Sequence, residues 1–204
     1  MTTLARRSPA RRQTRVTELI SLAQRGDMAA FEELARMCVD RVFAVALGLL
    51  GDRAEAEDVV QETLLRAWRG IRGFRSRSGF PTWLHRIAVN EVNRTLEKGA
   101  RRPRTVRLAP EHLALTTSAD REPAQQAEYQ ELRTALESAL LDLPLPHRAA
   151  VVLRDIEGFS TREAAKIAGV GEAAFKRRLH QARLKVRASL GDDALIAAER
   201  PARG

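Results

Sequence analysis

The chain has 204 residues and a formal net charge of +9, with 44% hydrophobic and 30% charged residues, so it can fill one or two cores and is too apolar to stay an unfolded polyelectrolyte. A folded, strongly basic protein is matched to a polyanion, either nucleic acid or an anionic membrane surface. The apolar runs, such as residues 42–50, are far too short to span a bilayer, and the arginines Arg6, Arg7, Arg11, Arg12 and Arg15 lead into no secretory-type apolar stretch. A soluble, cytoplasmic protein without a membrane role is expected.

Residues 1–15 read as a basic N-terminal arm, either solvated and disordered or touching DNA. A first helix is predicted from Val16 to Arg25, ended by Gly26 and Asp27. A long second helix follows, with the stripe Phe31, Leu34, Cys38, Val42, Val45 and Leu49, which makes the lone cysteine Cys38 a small core residue. Gly51 and Asp52 break it before a third helix from about Ala54 to Gly70. Residues 70–81 read as a loop, and a fourth helix starts near Pro81 and runs to about Lys98.

Between residues 100 and 125 the helical period lapses among Pro103, Pro110 and Pro123, so this stretch is predicted to be a flexible linker. Tyr129, Leu132, Leu136, Leu140 and Leu143 then mark a helix ending at Pro144, and a short apolar stretch holds Ala150, Val151, Leu153 and Ile156. Ser160 with Glu163 has the capping-box form at the head of a short helix through Ala168. After the turn at Gly169, Val170 and Gly171 comes a last helix with Phe175, Leu179, Ala182 and Val186 inward, followed by a weakly patterned tail from 192 to 204. The fold class is therefore all-α, as two helical domains at 16–99 and 126–191 joined by the linker.

A short helix, a glycine-containing turn and a second amphipathic helix form a helix-turn-helix, whose second helix enters the major groove. Opposite its apolar stripe that helix carries Lys176, Arg177, Arg178, His180, Gln181, Arg183, Lys185 and Arg187, with the single acid Glu172 at its start. Arginine and lysine can read guanine, glutamine can read adenine, and the same cations attract phosphate. A solvated basic helix on a bundle would show the same charges, but not the capping box and turn at this spacing. The four histidines His85, His112, His147 and His180 have no metal-ligand spacing, so no metal and no cofactor is expected.

The stretch from Leu143 to Arg187, LPLPHRAAVVLRDIEGFSTREAAKIAGVGEAAFKRRLHQARLKVR, resembles region four of the sigma-70 family. GDMAAFEELARMCVDRVFAVALGLLGDRAEAEDVVQETLLRAWRGIRGF followed by FPTWLHRIAVNEVNR resembles region two of its extracytoplasmic-function group, and no region three is recognisable between them. The resemblance implies a sigma factor that binds core RNA polymerase, recognises the −35 and −10 promoter elements and promotes DNA melting. It also implies that region two grips the β′ coiled coil, that region four meets the β flap, and that an anti-sigma factor holds the protein inactive.

Residue by residue, the resemblance assigns polymerase binding to Asp58, Gln61, Glu62 and Leu65. Their spacings put acids and an amide beside an apolar side chain on one helix face, which suits an arginine-rich partner. It assigns −10 recognition to Phe74, Arg75, Ser78 and Phe80 in the loop and to Arg86, Asn90, Asn93 and Arg94 on the next helix. An unstacked base needs an aromatic pocket with a few hydrogen-bonding groups, and the cations suit the strand's phosphates. For Phe80, simple packing competes evenly with base contact. The −35 contacts fall to Lys176, Arg177, Arg178, His180, Gln181 and Arg183.

Here the recognition helix has Gly171, Ala173, Ala174 and Arg177 where the common family pattern has proline, glycine, threonine and serine, so the family's base contacts do not transfer directly. The competing reading is a stand-alone helix-turn-helix regulator with an N-terminal sensory or dimerisation bundle, which has no use for the loop and helix from Phe74 to Arg94. An enzyme fits less well, since no nucleophile with a base, metal cluster or cofactor loop has recognisable spacing.

Overall fold

The computed structural model describes residues 9–75, 79–99 and 123–191. Within them the protein is helical: α1 (Pro9–Gln24), α2 (Met28–Arg36), α3 (Val39–Leu50), α4 (Arg53–Gly70), α5 (Phe80–Gly99), α6 (Pro123–Leu141), α7 (Leu145–Val151), α8 (Thr161–Ile167) and α9 (Glu172–Leu190). Most of the linker at 100–125 and the tail at 192–204 lie outside the described residues, as does the start of the N-terminal arm.

Two expectations are corrected. The first helix begins at Pro9, not Val16: Pro9 is suited to a first turn, and Ala10, Arg11, Arg12 and Gln13 are good helix formers. The long second helix is two helices. Cys38 leaves the helical region at φ −128° and ψ −17°, and the chain restarts from it as α3. A helical stripe cannot report such a corner, because Phe31, Leu34, Cys38 and Val42 still reach one core across it. Two aspartates cap the helices that follow these breaks: Asp27 accepts from the Ala30 N–H at 3.0 Å, and Asp52 from the Glu55 N–H at 2.8 Å.

In the N-terminal half, Leu19, Phe31, Leu34, Val42, Ile71, Phe80 and Leu84 fill a core under α1, α2, α4 and α5. The C-terminal half packs α6 to α9 around Leu153, Ile167, Phe175 and Leu179. That second core does not stop at the domain boundary: Val45, Leu49 and Leu50 of α3 and Val89 and Val92 of α5 belong to the same cluster. The halves therefore clasp each other, with α3 and α5 against the segment from α7 to α8.

A π-helical turn at Val152–Ile156 lies in this contact. Gly48 permits the close approach, since a Cβ there would lie 3.2 Å from Val152 Cγ1. Glycine inside a helix costs about 1 kcal/mol relative to alanine, and the approach of Val152 is what it makes possible. Arg41 of α3 reaches across: its Nε is 3.3 Å from Glu157 Oε2, Nη2 donates to the Glu157 carbonyl, and the guanidinium lies over the Phe159 ring, 3.6 Å from its centroid. Arg148 of α7 donates to the Leu49 carbonyl at the C-terminal end of α3 and, at 3.1 Å, to the Leu143 carbonyl, satisfying helix-end acceptors with a cation.

Candidate nucleic-acid interface

The helix-turn-helix forms as its residues dictate. Ser160 and Glu163 make both bonds of the capping box at the head of α8, and the Ser160 bonds hold the Glu163 carboxyl below its usual range. Gly169 turns the chain at φ +67°, a conformation L side chains avoid. Phe175, Leu179 and Ala182 then anchor α9 in the core.

Lys176, Arg177, His180, Gln181 and Arg183 are exposed and Arg178 half-buried, so α9 presents a basic face. Two of these side chains are already held. Arg183 makes a paired contact with Asp155, Nε to Oδ2 at 2.9 Å and Nη2 to Oδ1 at 2.6 Å, which raises its pKa further. Gln181 Oε1 lies 3.1 Å from His147 Nε2 of α7, which fixes the amide with its NH2 outward if the imidazole donates. Lys176, Arg177 and His180 share the outward face towards the N-terminal half of α9. Because Arg177 is exposed on this face, Arg177→Ala is expected to relax preference at one position of the bound DNA at a cost of roughly 1–3 kcal/mol. Binding titrations over single-base promoter variants check this, and equal weakening on every sequence would make Arg177 a phosphate contact.

On α5, Arg86, Asn90 and Arg94 are exposed and Asn93 half-buried, a ladder at helical spacing along one face. In the loop before it, Phe80 takes the packing side of its two readings, and Phe74 joins it there. Phe74 and Phe80 are buried, at 6% and 2% exposure, and pack edge-on to each other with centroids 6.1 Å apart, with Trp83 beside both. Gln24 Nε2 donates to the Phe74 carbonyl at 2.8 Å, fixing that end of the loop to α1. No base can stack on either ring in this arrangement. The apolar character that suggested a base pocket serves the core, and the two rings hold the ends of the loop together. Arg75 is exposed, while Ser78 lies outside the described residues.

The acidic face on α4 is present. Ala56, Val59, Val60, Thr63 and Ala67 face the core, which leaves Asp58 and Gln61 exposed, Glu62 half-exposed and Leu65 50% exposed beside them. A half-exposed leucine among carboxylates is what an amphipathic contact with a basic partner uses.

Sequence reasoning missed the side chains of the clasp. His85 is fully buried, with its Nδ1 donating to the Pro81 carbonyl at 2.7 Å and its ring edge-on to Phe159, 4.9 Å between centroids. Burial, with Arg41 nearby, holds its pKa below the usual histidine range. Burial likewise pushes the Glu157 carboxyl up against the opposing pull of Arg41. Nothing in the local pattern joins Arg41 to Glu157, which are 116 residues apart. The clasp also brings Thr82, Trp83 and Arg86 of α5 together with Lys166 of α8 and Gly169 and Gly171 of the turn that leads into α9 around one open cavity of about 490 Å3. Among the described residues there is no cluster fit to hold a metal ion, and no helix is long and apolar enough to cross a membrane.

Comparison with known proteins agrees with this anatomy. The family description "Sigma-70 region 2" matches residues 34–102 and "Sigma-70, region 4" matches residues 133–186. The chain is 37% identical over 166 residues to the ECF RNA polymerase sigma factor SigE of Mycolicibacterium smegmatis, aligning 79% of itself but 63% of that protein. With the ECF RNA polymerase sigma factor SigM of Mycobacterium tuberculosis it shares 32% identity over 85% of itself and 84% of that protein. Among solved structures it resembles the sigma factor RpoE bound to the anti-sigma factor NepR from Bartonella quintana, with 27% identity, 78% and 96% coverage and a TM-score of 0.61. It also resembles CnrH in complex with the cytosolic domain of CnrY, with 25% identity, 91% and 99% coverage and a TM-score of 0.62. The two matched regions, in this order, are those of the sigma-70 type. The chain belongs to the sigma-70 family, in its extracytoplasmic-function group.

Proposed function

We propose that this chain is a cytoplasmic, non-catalytic RNA polymerase sigma factor: it joins core polymerase through α4, reads the −35 element with α9 and the −10 element with α5 and the loop before it, and promotes DNA melting there. The observation that carries this reading is the combination, in one chain, of a basic recognition helix, a second polar and basic ladder on α5, and an acidic face with an exposed leucine on α4. A stand-alone regulator needs only the first.

Within the reading, Lys176, Arg177 and His180 meet the major groove, and Arg178 and Lys185 lie nearer phosphate. Arg86, Asn90, Asn93 and Arg94 follow the nontemplate strand. The flipped base is taken by the loop segment around Arg75 and Ser78, whose ends Phe74 and Phe80 hold. Asp58, Gln61, Glu62 and Leu65 meet the β′ coiled coil, and region four meets the β flap. In two similar structures the protein is bound to a partner, RpoE to the anti-sigma factor NepR and CnrH to the cytosolic domain of CnrY, which supports a partner of that kind here.

The clasp supports a role for polymerase in separating the domains. In the closed chain the start of α5 and the turn that leads into α9 line one cavity, whereas the −35 and −10 elements lie on the order of 70 Å apart at about 3.4 Å per base pair. Run-off transcription with purified core polymerase on a genomic promoter library tests the function. Discrete transcripts that require both the chain and core enzyme are expected, and a chain that binds promoter DNA tightly by itself and yields no such transcripts would be a stand-alone regulator.

A further inference from the structure

Glu91 is a carboxylate in the middle of α5 that is 5% exposed and faces α4. Arg66 of α4 puts its Nε 2.8 Å from Glu91 Oε1 and also 2.8 Å from Glu62 Oε1. Arg94, one turn further along α5, puts Nη1 on the same Glu91 oxygen. The result is an unbroken line of alternating charge from Glu62 through Arg66 and Glu91 to Arg94. Its outer members, Glu62 and Arg94, are 40% and 49% exposed at their side chains, and the central carboxylate is enclosed.

Burying a carboxylate costs several kcal/mol unless it is paired, and an apolar residue would fill an α4–α5 contact more cheaply. Both cations share one Glu91 oxygen, and Arg66 is itself divided between two carboxylates by charge, its Nε–H lying between them and aligned as a hydrogen bond with neither. In such an arrangement each pairing weakens the next. When a cation of a partner takes up Glu62, Arg66 turns wholly to Glu91, Glu91 is better neutralised, and its hold on Arg94 relaxes. Arg94 is then more available to a phosphate.

We propose that Glu91 is a positioning residue that couples occupancy of the polymerase-facing end of the line, at Glu62, to the availability of Arg94 for the −10 strand. The proposal rests on the assignment of Glu62 to polymerase and Arg94 to DNA made above. It gives α4 and α5 a thermodynamic link, so that binding at one favours binding at the other by the same factor.

Neutralising Glu62 imitates its capture by a partner and needs no polymerase. Binding of the full-length chain to a fluorescent single-stranded DNA 12-mer of randomised sequence, followed by anisotropy, reads the result. Glu62→Gln is expected to tighten binding roughly two- to fivefold, the range of a modest coupling between contacting groups. That gain should vanish in the Glu91→Gln background and in the Arg94→Gln background. Glu57→Gln, which removes an equal charge from the same helix at a residue paired only with Arg53 among the ion pairs described, controls for bulk electrostatics and should give a smaller gain that persists with Glu91→Gln.

A purely structural Glu91 would lower the melting temperature on substitution and leave the effect of Glu62→Gln intact, and that outcome overturns the relay. So does an equal effect of Glu57→Gln and Glu62→Gln. If Arg94→Gln leaves single-strand binding unchanged, the assignment of Arg94 to DNA has failed and the relay falls with it. Weakened binding by Arg94→Gln, with a Glu62→Gln gain that survives Glu91→Gln, removes the relay alone.

Discussion

Asp58→Arg combined with Glu62→Arg is expected to abolish co-purification with core polymerase while leaving the chain folded. Truncating one member of a buried charge pair at an interface typically costs 2–5 kcal/mol, and each reversal replaces an attraction with a repulsion, so two reversals should lower affinity by more than about a thousandfold. The fold has little to lose. Asp58 is exposed, and Glu62 gives up a partly exposed i,i+4 pair with Arg66 of a kind that contributes about 0.3–0.5 kcal/mol. Because Glu62 also belongs to the line leading to Arg94, the single Asp58→Arg variant serves as the clean probe of the surface. Wild-type retention of the folded double variant on immobilised core enzyme would remove this face from the interface.

The parts of the protein legible in the sequence are those set by local chemistry. The capping box at Ser160 and Glu163, the turn at Gly169 and the buried stripe Phe175, Leu179 and Ala182 each follow from residues within a few positions of one another. The exposed face of α4 follows from a helical period for the same reason. What depended on three-dimensional neighbours was not legible. The corner at Cys38 hides inside a stripe that stays continuous across it. Phe74 and Phe80 carry the composition of a base pocket, and only their packing on each other and on Trp83 shows them turned inward. Arg183 and Gln181 look like free readers of DNA until Asp155 and His147, contributed by the segments before α8, are found against them.

The clasp was the largest feature beyond reach of the sequence, and it bears on how a chain with the proposed function would reach its promoter. A prolyl, weakly patterned stretch between the domains suggests two bodies free to separate. Yet the surfaces that clasp are apolar residues of α3 and α5, such as Val45, Leu49 and Val89, that an isolated region-two domain would expose. Closing over them is driven by the same burial that makes any core, and Arg41, inserted between Glu157 and the Phe159 ring, fixes the register. Extended, the 23 residues between α5 and α6 can reach at most about 80 Å, enough to join promoter elements on the order of 70 Å apart only when drawn nearly straight. The closed chain therefore has to open, and stay open, to contact both elements.

Locking the clasp should accordingly eliminate transcription. A Cβ on Gly48 would stand 3.9 Å from Val152 Cβ, close to the mean of about 3.8 Å for disulfide-bonded cysteines, so Gly48→Cys with Val152→Cys can form a bridge without moving α3. Cys38, the chain's single cysteine, is buried and does not compete. Oxidised, this variant is expected to keep binding single-domain probes, such as a duplex bearing only a −35 element. Its run-off transcription with core polymerase should fall by more than about tenfold, because one conformation can no longer supply the separated domains. Dithiothreitol should restore transcription in the same sample, which separates the lock from any damage done by the substitutions. The opposite change is Gly48→Leu, whose side chain would have to occupy the space of Val152. It should drive the halves apart, raise the radius of gyration measured by small-angle scattering, and strengthen association with core polymerase by removing the cost of opening. Helix α3 itself should gain stability, since leucine is a better helix former than glycine. An oxidised, fully bridged variant that transcribes at the wild-type rate would show that the closed form lies off the path to initiation.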